Sequence, residues 1–411
     1  MSAGHDGAVR SRRSVTGPAA FVTAAFIGPG TLLMCTRAGA GFGYTLLWAL
    51  LFSILATAML QEMAGRVSLA TGKSLARLVA ARFQAPLIRW SAALLVIAAI
   101  AFGCAAYQSG NLSGGGAGAE ILFPVLRTEF RLAAGGLGLA AGLLLFFSGY
   151  GLVERVLKTL VLVMSLSFAA AAVLTGPQLL EIAKGFVIPS LPPGSAAAAL
   201  GLVGTTVVPY NLFLYSRVVR ERFSGGGDMP SMRRDLHLYL AIGGAASALI
   251  TITAAAVFGG RGGEPTLAEM PKLLEPVLGD WASVLFGAGL FAAGFSSALT
   301  APLAGAYVVA GIFNTSTART GRVYRATWIA ILGAGIFFAV KPGLRPEQII
   351  KVAQVANGLL LPMIVLFLLA VVNGREMGVL RNGKTRNAAA VVIVAVTVLL
   401  GVKMILAGLA G

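Results

Sequence analysis

The chain has 411 residues, of which 57% are hydrophobic and only 11% are charged, and its formal net charge is +17. A soluble domain carries roughly 25% charged residues, so this composition excludes a soluble protein and indicates one that crosses a bilayer several times. The charge does not indicate nucleic-acid binding, because 22 of the 32 basic residues lie on one side of the membrane if the N-terminus is cytoplasmic. This asymmetry predicts a multi-pass protein of the cell inner membrane whose basic residues contact lipids and not nucleic acid. No protein partner is predicted from the sequence.

Eleven apolar stretches are each long enough to cross a bilayer, for which a helix needs about 20 mostly apolar residues. They span residues 18–39, 45–66, 86–110, 133–150, 154–176, 195–220, 236–259, 281–312, 323–340, 349–372 and 387–410. The longest loops between them, about 111–132, 177–194 and 260–280, are too short and too rich in Gly and Pro to fold alone. We therefore expect a single transmembrane domain.

Two of these segments are interrupted in the middle by a proline motif. Segment 1 contains Gly28-Pro29-Gly30-Thr31, and segment 6 contains Val208-Pro209-Tyr210-Asn211. Backbone groups freed inside lipid must face protein or a water-filled cavity. Paired interruptions near the bilayer midplane are typical of the substrate site of a transporter built from two repeats. We therefore expect the substrate to bind between the two breaks.

The positions of the breaks also predict how the chain is organised. Each break falls in the first helix of a group of five, and because five is odd the second group must run opposite to the first. The predicted divisions are a cytoplasmic tail at 1–17, a first repeat at 18–176, a second repeat at 195–372 and an extra helix at 387–410. This pattern predicts an all-α polytopic membrane protein of the LeuT-type fold, an inverted 5+5 repeat with eleven transmembrane helices, in which helices 1 and 6 are broken. Glycine-rich runs at 110–118 and 294–305 favour close helix packing.

Further motifs accompany the two breaks. The first motif continues to Ala38-Gly39-Ala40 and Gly43-Tyr44-Thr45-Leu46-Leu47-Trp48, and the second continues through Tyr215-Ser216. Others are Leu60-Gln61-Glu62-Met63-Ala64, Ala293-Gly294-Phe295-Ser296-Ser297-Ala298-Leu299-Thr300, and Gln354 eight residues before Pro362. In this order they resemble the Nramp (natural resistance-associated macrophage protein) family of metal-ion transporters over nearly the whole chain. The resemblance implies the LeuT-type fold and transport by alternating access.

The residues that the resemblance would assign to metal binding are replaced. The family has Asp-Pro-Gly-Asn in helix 1, where this chain has Gly28 and Thr31 in place of Asp and Asn. It has Met-Pro-His-Asn in helix 6, where this chain has Val208 and Tyr210 in place of Met and His. In the family, the Asp, Asn and Met side chains bind the metal, and helix-3 acids with helix-6 histidines assist proton movement. Neutral residues also occupy the corresponding parts of helices 3 and 6 here: Gln108, Asn111 and Tyr215.

The loss of every charged ligand leads to a substrate expectation. A divalent ion among neutral groups near the midplane is costly without an anionic partner, whereas helix starts carry partial positive charge and bind oxyanions. Arg37 adds a full charge, and no acid near segment 1 obviously neutralises it. We therefore expect a small ionic substrate, an anion such as bicarbonate or a small carboxylate, and no metal site. The expected substrate-binding residues are Gly28, Gly30, Thr31, Arg37, Val208, Tyr210, Asn211 and Gln354.

Two alternatives remain open at this point. One is a divalent cation (Mg²⁺ or Mn²⁺) transporter with an unusual site, for which Met34 and Cys35 are the only soft atoms beside the first break. The other is a channel, because broken helices also line pores. Arg37 could instead extend to the outer interface, and Thr31 could bond its own helix. An enzyme is not expected, and no cofactor is, because the two histidines have no nucleophile or metal partner at useful spacing and the glycine run 113–118 lacks the Lys-Ser/Thr of a P-loop.

Overall fold

The computed structural model describes residues 28–81, 85–123, 130–147, 151–223, 226–259, 264–315 and 321–409. The main elements in these ranges are fourteen helices: α1 Pro29–Phe42, α2 Leu47–Thr71, α3 Leu75–Ala81, α4 Pro86–Leu122, α5 Phe130–Phe147, α6 Gly151–Leu174, α7 Leu179–Val187, α8 Ala196–Thr206, α9 Pro209–Arg222, α10 Met229–Phe258, α11 Ala282–Ile312, α12 Arg322–Val340, α13 Pro346–Val372 and α14 Lys384–Leu409. Short helical turns lie between some of them: Gly226–Asp228, Met270–Leu273, Glu275–Leu278, Gly279–Trp281 and Arg375–Leu380.

The structure confirms an all-helical membrane architecture. Nine helices within the described ranges are long and apolar enough to cross a bilayer, and α6 with α7 passes the same test as a pair bent by 118°. Within the described residues, each of the eleven apolar stretches lies on one helix or, at 195–220, on the two helices α8 and α9, and the largest shift of an end is at α4, which reaches Leu122. The count of eleven transmembrane helices stays a prediction. The tail 1–17 and the part of segment 1 before Gly28 lie outside the described residues. Large apolar side chains such as Leu87, Leu139 and Phe147 are exposed, as expected for a surface that faces lipid.

The loop predicted at 111–132 is wrong in its first half, because α4 continues to Leu122. Glycine weakens a helix in water, and this favoured the loop assignment. In the folded chain the same glycines let two helices touch. A Cβ atom on Gly294 of α11 would lie 2.6 Å from the Cα atom of Gly115 in α4. The expected close packing of the two glycine-rich runs is confirmed, and it places the polar middle of α4 inside the bundle.

Helix α4 lies at the centre of the packing. It contacts α11 most extensively and also packs against α12, α13 and α5. Helix α1 packs against α10, α9 against α2, and α8 against both α13 and α1. This arrangement brings together the start of α1, the junction between α8 and α9, and the middle of α4, α11 and α13.

Candidate functional site

The interruption predicted in segment 6 is present as a two-residue junction. Helix α8 ends at Thr206 and α9 begins at Pro209, with Val207 and Val208 outside helical geometry. Proline has no N–H to continue a helix and drives the residue before it into an extended conformation, which Val208 adopts with φ −78° and ψ 118°. The break leaves the first N–H groups of α9 and the last carbonyls of α8 without the partners of a continuous helix, and Thr206, Val207 and Val208 at this junction are buried.

The start of α1 is built by the same local chemistry. Gly28 is extended, with φ −117° and ψ −174°, and Pro29 occupies the first helical position. The Gly28 carbonyl accepts a hydrogen bond from the N–H of Leu32 at 3.2 Å. Because the chain before Gly28 lies outside the described residues, the break in segment 1 stays a prediction, and only its second half-helix is described.

Three of the residues expected to bind substrate meet where α1, α8 and α13 touch. The hydroxyl oxygens of Thr31 and Thr205 lie 2.9 Å apart, in hydrogen-bond contact, and both side chains are buried. A side chain at Gly30 would collide with the amide of Gln354, and one at Gly204 with the Gln354 carbonyl oxygen. The two glycines therefore allow Gln354 to lie directly against both broken segments.

The expected residues of segment 6 lie at the start of α9. Val208, Tyr210 and Asn211 are each 1% exposed. The Tyr210 ring packs edge-on against Tyr107 of α4, with 5.5 Å between ring centroids. The Tyr210 hydroxyl and both polar atoms of the Asn211 amide lack a hydrogen-bond partner, so this junction holds polar groups that the described part of the chain leaves unsatisfied.

Three residues that were not among the expected site residues line the space beside Gly28. A Cβ atom built on Gly28 would lie 3.2 Å from the Ser297 hydroxyl oxygen, and 3.9 Å from both Asn111 Oδ1 and the Tyr107 hydroxyl oxygen. Ser297 Oγ, Asn111 Nδ2 and Tyr107 Oη are all buried, and none has a hydrogen-bond partner within the described ranges. We call the joined set the central polar cluster; it comprises Thr31, Tyr107, Asn111, Thr205, Tyr210, Ser297 and Gln354.

The central polar cluster is neutral. Among the described residues, no group of three or more His, Cys, Asp or Glu side chains comes together. Cys35 lies beside Ser247 and Thr251 of α10, and the Met34 side chain fills the space against Gly201 of α8. Both soft side chains thus pack between helices. The available ligands are hydroxyl and amide oxygens together with the backbone of the junction.

Arg37 forms an ion pair outside the central polar cluster, so the expectation that no acid neutralises its charge is wrong. Its Nη1 atom lies 2.7 Å from Oε2 of Glu264, whose Oε1 accepts a hydrogen bond from Lys351 Nζ at 2.8 Å. Partial burial alone would raise the pKa of Glu264, but the hydrogen bond from Lys351 and the charge of Arg37 outweigh it and hold that pKa below its usual value. The acid was present in the predicted loop 260–280, but its pairing with segment 1 depends on how that loop folds back.

The helical bundle with a broken segment beside a buried polar cluster defines a multi-pass membrane transporter of the LeuT type. The family model described as "Natural resistance-associated macrophage protein-like" matches residues 19–407. The chain therefore belongs to the Nramp family, a family of transporters, as its motifs indicated.

Relatives and solved structures agree with this assignment. The divalent metal cation transporter MntH of Chromohalobacter salexigens is 30% identical over 96% of this chain and 91% of its own length. MntH of Yersinia pestis is 28% identical over 94% of this chain and 93% of its own length. A crystal structure of the Eremococcus coleocola manganese transporter matches with a TM-score of 0.74, 22% identity and coverage of 94% and 84%. Mhp1, a nucleobase-cation-symport-1 family transporter, matches with a TM-score of 0.59, 14% identity and coverage of 86% and 77%.

These findings overturn the expectation of an anionic substrate. The relatives that match nearly the whole chain are named divalent metal cation transporters. Two features of the structure show why the anion expectation was wrong. Arg37 is neutralised by Glu264, and the exposed helix ends are accompanied by oxygen atoms of Tyr107, Tyr210 and Ser297 that can face a cation as readily as an anion.

Proposed function

We propose that this chain is a secondary transporter of a hard divalent cation, Mg²⁺ or Mn²⁺, that works by alternating access. The named function of the relatives, which match this chain over more than nine-tenths of its length, supports a divalent cation as the substrate. The placement of basic residues supports an inner-membrane protein with a cytoplasmic N-terminus. The protein carries out no chemical conversion and needs no cofactor.

The single observation that carries the proposal is the set of unpartnered buried polar groups around Gly28. Buried polar groups in native proteins are almost always hydrogen-bonded, and exceptions call for a ligand, an ion or water. Among the residues that the structure describes, Ser297 Oγ, Tyr107 Oη and Tyr210 Oη all lack hydrogen-bond partners, and they surround the junction of the broken segments. A cation with some of its waters would satisfy these oxygens, and a water molecule can donate to one of them while it binds the metal.

The neutral ligands determine how the ion is held. Carbonyl, hydroxyl and water oxygens suit Mg²⁺, Ca²⁺ and Mn²⁺, whereas thiolate and thioether ligands select softer metals. Mg²⁺ dehydrates reluctantly and usually keeps several waters. Because no carboxylate compensates the charge in the cluster, we propose that the ion enters with most of its hydration shell. The site then binds weakly and discriminates against soft ions such as Cd²⁺.

The proposed site extends the residues expected from the sequence. Gly28, Gly30, Thr31, Val208, Tyr210, Asn211 and Gln354 remain in it, now joined by Tyr107, Asn111 and Ser297. Arg37 acts outside it as the partner of Glu264. We propose further that 18–176 and 195–372 are the inverted repeats, with 387–410 as an appended helix, so that the site lies at the interface between the repeats.

Uptake into proteoliposomes tests the proposal. The purified chain is reconstituted in liposomes that contain a metal-sensitive dye, and initial rates are measured with Mg²⁺, Mn²⁺ and Cd²⁺ outside. We expect saturable Mg²⁺ or Mn²⁺ uptake and little Cd²⁺ uptake. Ser297→Ala should lower the uptake severalfold, because it removes an oxygen beside Gly28. Ser53→Ala is the matched control, because the buried Ser53 hydroxyl donates its hydrogen bond to the Leu50 carbonyl of its own helix.

Three results would contradict the proposal. If protein that is folded and correctly inserted takes up no divalent cation, the proposed substrate is wrong. Equal effects of Ser297→Ala and Ser53→Ala on uptake would show that the substrate does not bind beside Ser297. Discrete single-channel currents in a planar bilayer, with fluxes far above the turnover of a carrier, would show that the protein is a channel and does not work by alternating access.

A further inference from the structure

A second polar site lies away from the central polar cluster, at the end of the bundle where α2 and α9 finish. It is a small cleft, partly open to the surroundings, between the start of α3, the last turns of α9 and the second half of α11. Its lining combines three arginines with one hydroxyl, one phenol and apolar groups: Ser74, Ala76, Arg77, Phe213, Arg217, Arg220, Tyr307 and Val308.

The charges in the cleft are not balanced. Of its three arginines, Arg217 has an acidic partner, Glu221, whose Oε1 lies 2.9 Å from Arg217 Nε. No acidic residue in the described part of the chain forms an ion pair with Arg77 or Arg220. All three arginines are partly buried, so water screens their mutual repulsion incompletely. An anion placed between them would relieve that repulsion.

The walls of the cleft are held in place by neighbouring contacts. The Arg217 guanidinium stacks over the Tyr307 ring, with its Cζ atom 3.6 Å from the ring centroid. Behind the cleft, the Ser216 hydroxyl accepts a hydrogen bond from the Leu75 N–H at 2.8 Å and lies 2.7 Å from the Ser68 hydroxyl. These contacts fix α3 and its Arg77 against α9. The arginines of α3 and α9 therefore line one cleft.

We infer that this cleft binds a phosphoryl group. Planar guanidinium groups present paired N–H donors that match the oxygens of phosphate, and clusters of them are the usual means of phosphate recognition. Basic pockets between transmembrane helices on the cytoplasmic side bind the head groups of anionic lipids. The ligand is held in the cleft and is not transported. It bridges Arg77 of α3 and Arg220 of α9, and it is independent of the cation site.

The test compares a variant of the cleft with a variant of the nearby surface. Arg77→Gln/Arg220→Gln removes the two unpaired charges of the cleft. Arg375→Gln/Lys384→Gln removes two charges from exposed residues outside it. The full-length proteins are purified in neutral detergent, and Tm is measured with increasing inorganic phosphate against chloride at equal ionic strength. In parallel, each protein is reconstituted in vesicles of phosphatidylcholine and phosphatidylglycerol and extracted again with detergent. The phospholipids that the protein retains are then identified by native mass spectrometry.

We expect the wild type and the surface variant to bind a phosphoryl ligand and the cleft variant to lose it. A Tm that rises with phosphate identifies free phosphate as sufficient, whereas selective retention of phosphatidylglycerol without such a rise identifies a lipid head group. The inference is overturned if the wild type shows neither effect, or if the cleft variant behaves as the wild type does. Arg220→Gln alone gives the same comparison, with a partial loss expected, should the double variant fold poorly.

Discussion

The central polar cluster and the charged network near the C-terminal end of α2 are both largely buried, yet they are built in opposite ways. In the network, Glu62 accepts two hydrogen bonds from Arg233, at 3.0 Å and 2.7 Å, and lies 3.3 Å from Arg66. Arg66 in turn donates to the Leu380 carbonyl at 2.6 Å and to the Asn382 amide oxygen at 2.5 Å. In the central polar cluster, the hydroxyls of Tyr107, Tyr210 and Ser297 have no hydrogen-bond partner in the described part of the chain, and none of the cluster's side chains is charged.

This difference separates groups that stabilise the fold from groups that await a ligand. A buried charge is tolerated only with close partners, and the network supplies them from α2, α10 and the segment after α13. Neutral hydroxyls and amides cost less to leave unpaired, so a transport site can keep them open between substrate-bound states. We therefore expect changes in the network to affect stability most, and changes in the cluster to affect transport most.

The largest effect is expected when the network is broken. Glu62→Gln removes the charge that faces Arg66, which is 1% exposed, and leaves a buried guanidinium without its counter-ion. Loss of one partner of a buried pair costs about 3–5 kcal/mol, and the partial exposure of Arg233 places the expected loss near the lower limit. Thermal unfolding in detergent measures it. Glu181→Gln is the control, because the Glu181–Lys184 pair is half exposed and is worth about 0–1 kcal/mol.

A negative charge placed in the central polar cluster should strengthen cation binding. Gly28→Asp puts a carboxylate beside Ser297, Asn111 and Tyr107, and the extended backbone of Gly28 accepts a side chain. After the desolvation cost of the carboxylate, we expect the KM for Mn²⁺ to fall about tenfold, a gain of about 1.4 kcal/mol. Gly28→Asn is the matched control with the same shape and no charge. A tenfold change in both variants would show that shape, not charge, limits binding.

The fold was largely predictable from the sequence, because helix length and proline position are local properties. The apolar stretches located the helices, and Pro209 with its preceding residue located the junction at Val207 and Val208. The wall of the site formed by Tyr107, Asn111 and Ser297 was not predictable in this way. Asn111 lies in a stretch that glycine content assigned to a loop, and a serine within a helix usually bonds its own backbone. Only the packing of α4 on α11 directs these groups toward Gly28.

The pairing of charged side chains was harder to predict, because it depends on contacts between residues far apart in the sequence. Glu264 is 227 positions from Arg37 in the sequence, and a chain of apolar segments gives no indication that the two meet. Glu62 and Arg66 have the i, i+4 spacing of a helix-surface ion pair, yet the structure buries both, with contacts to Arg233 and Asn382. The expected anion followed from the missed contact between Arg37 and Glu264.

A smaller effect is expected at the contact between the two broken segments. Thr31→Val keeps the shape of the side chain but leaves the buried Thr205 hydroxyl without the partner it has at 2.9 Å. Loss of such a hydrogen bond costs about 1 kcal/mol. We expect a rise in the KM for the cation of about fivefold, with Tm changed by only a few degrees. Thr57→Val is the control, because the Thr57 hydroxyl bonds the Ser53 carbonyl of its own helix. Equal KM values in the two variants would place substrate elsewhere.

The smallest effect concerns pH and the contacts of Glu264 with Arg37 and Lys351. The folded-state pKa of this carboxyl lies below its unfolded value, because Lys351 and Arg37 outweigh the effect of burial. Its stabilising contribution is therefore fully present above about pH 4.3, the usual value for Glu, and is lost as the pH falls through the lowered folded-state pKa. Since Glu264 is 54% exposed, water screens the contact and the contribution is small. The difference in Tm between wild type and Glu264→Gln should be constant from pH 8 to 5 and should shrink below pH 4.3. A difference that grows on acidification would show that this carboxyl has a raised pKa and does not hold α1 and α13 together through its charge.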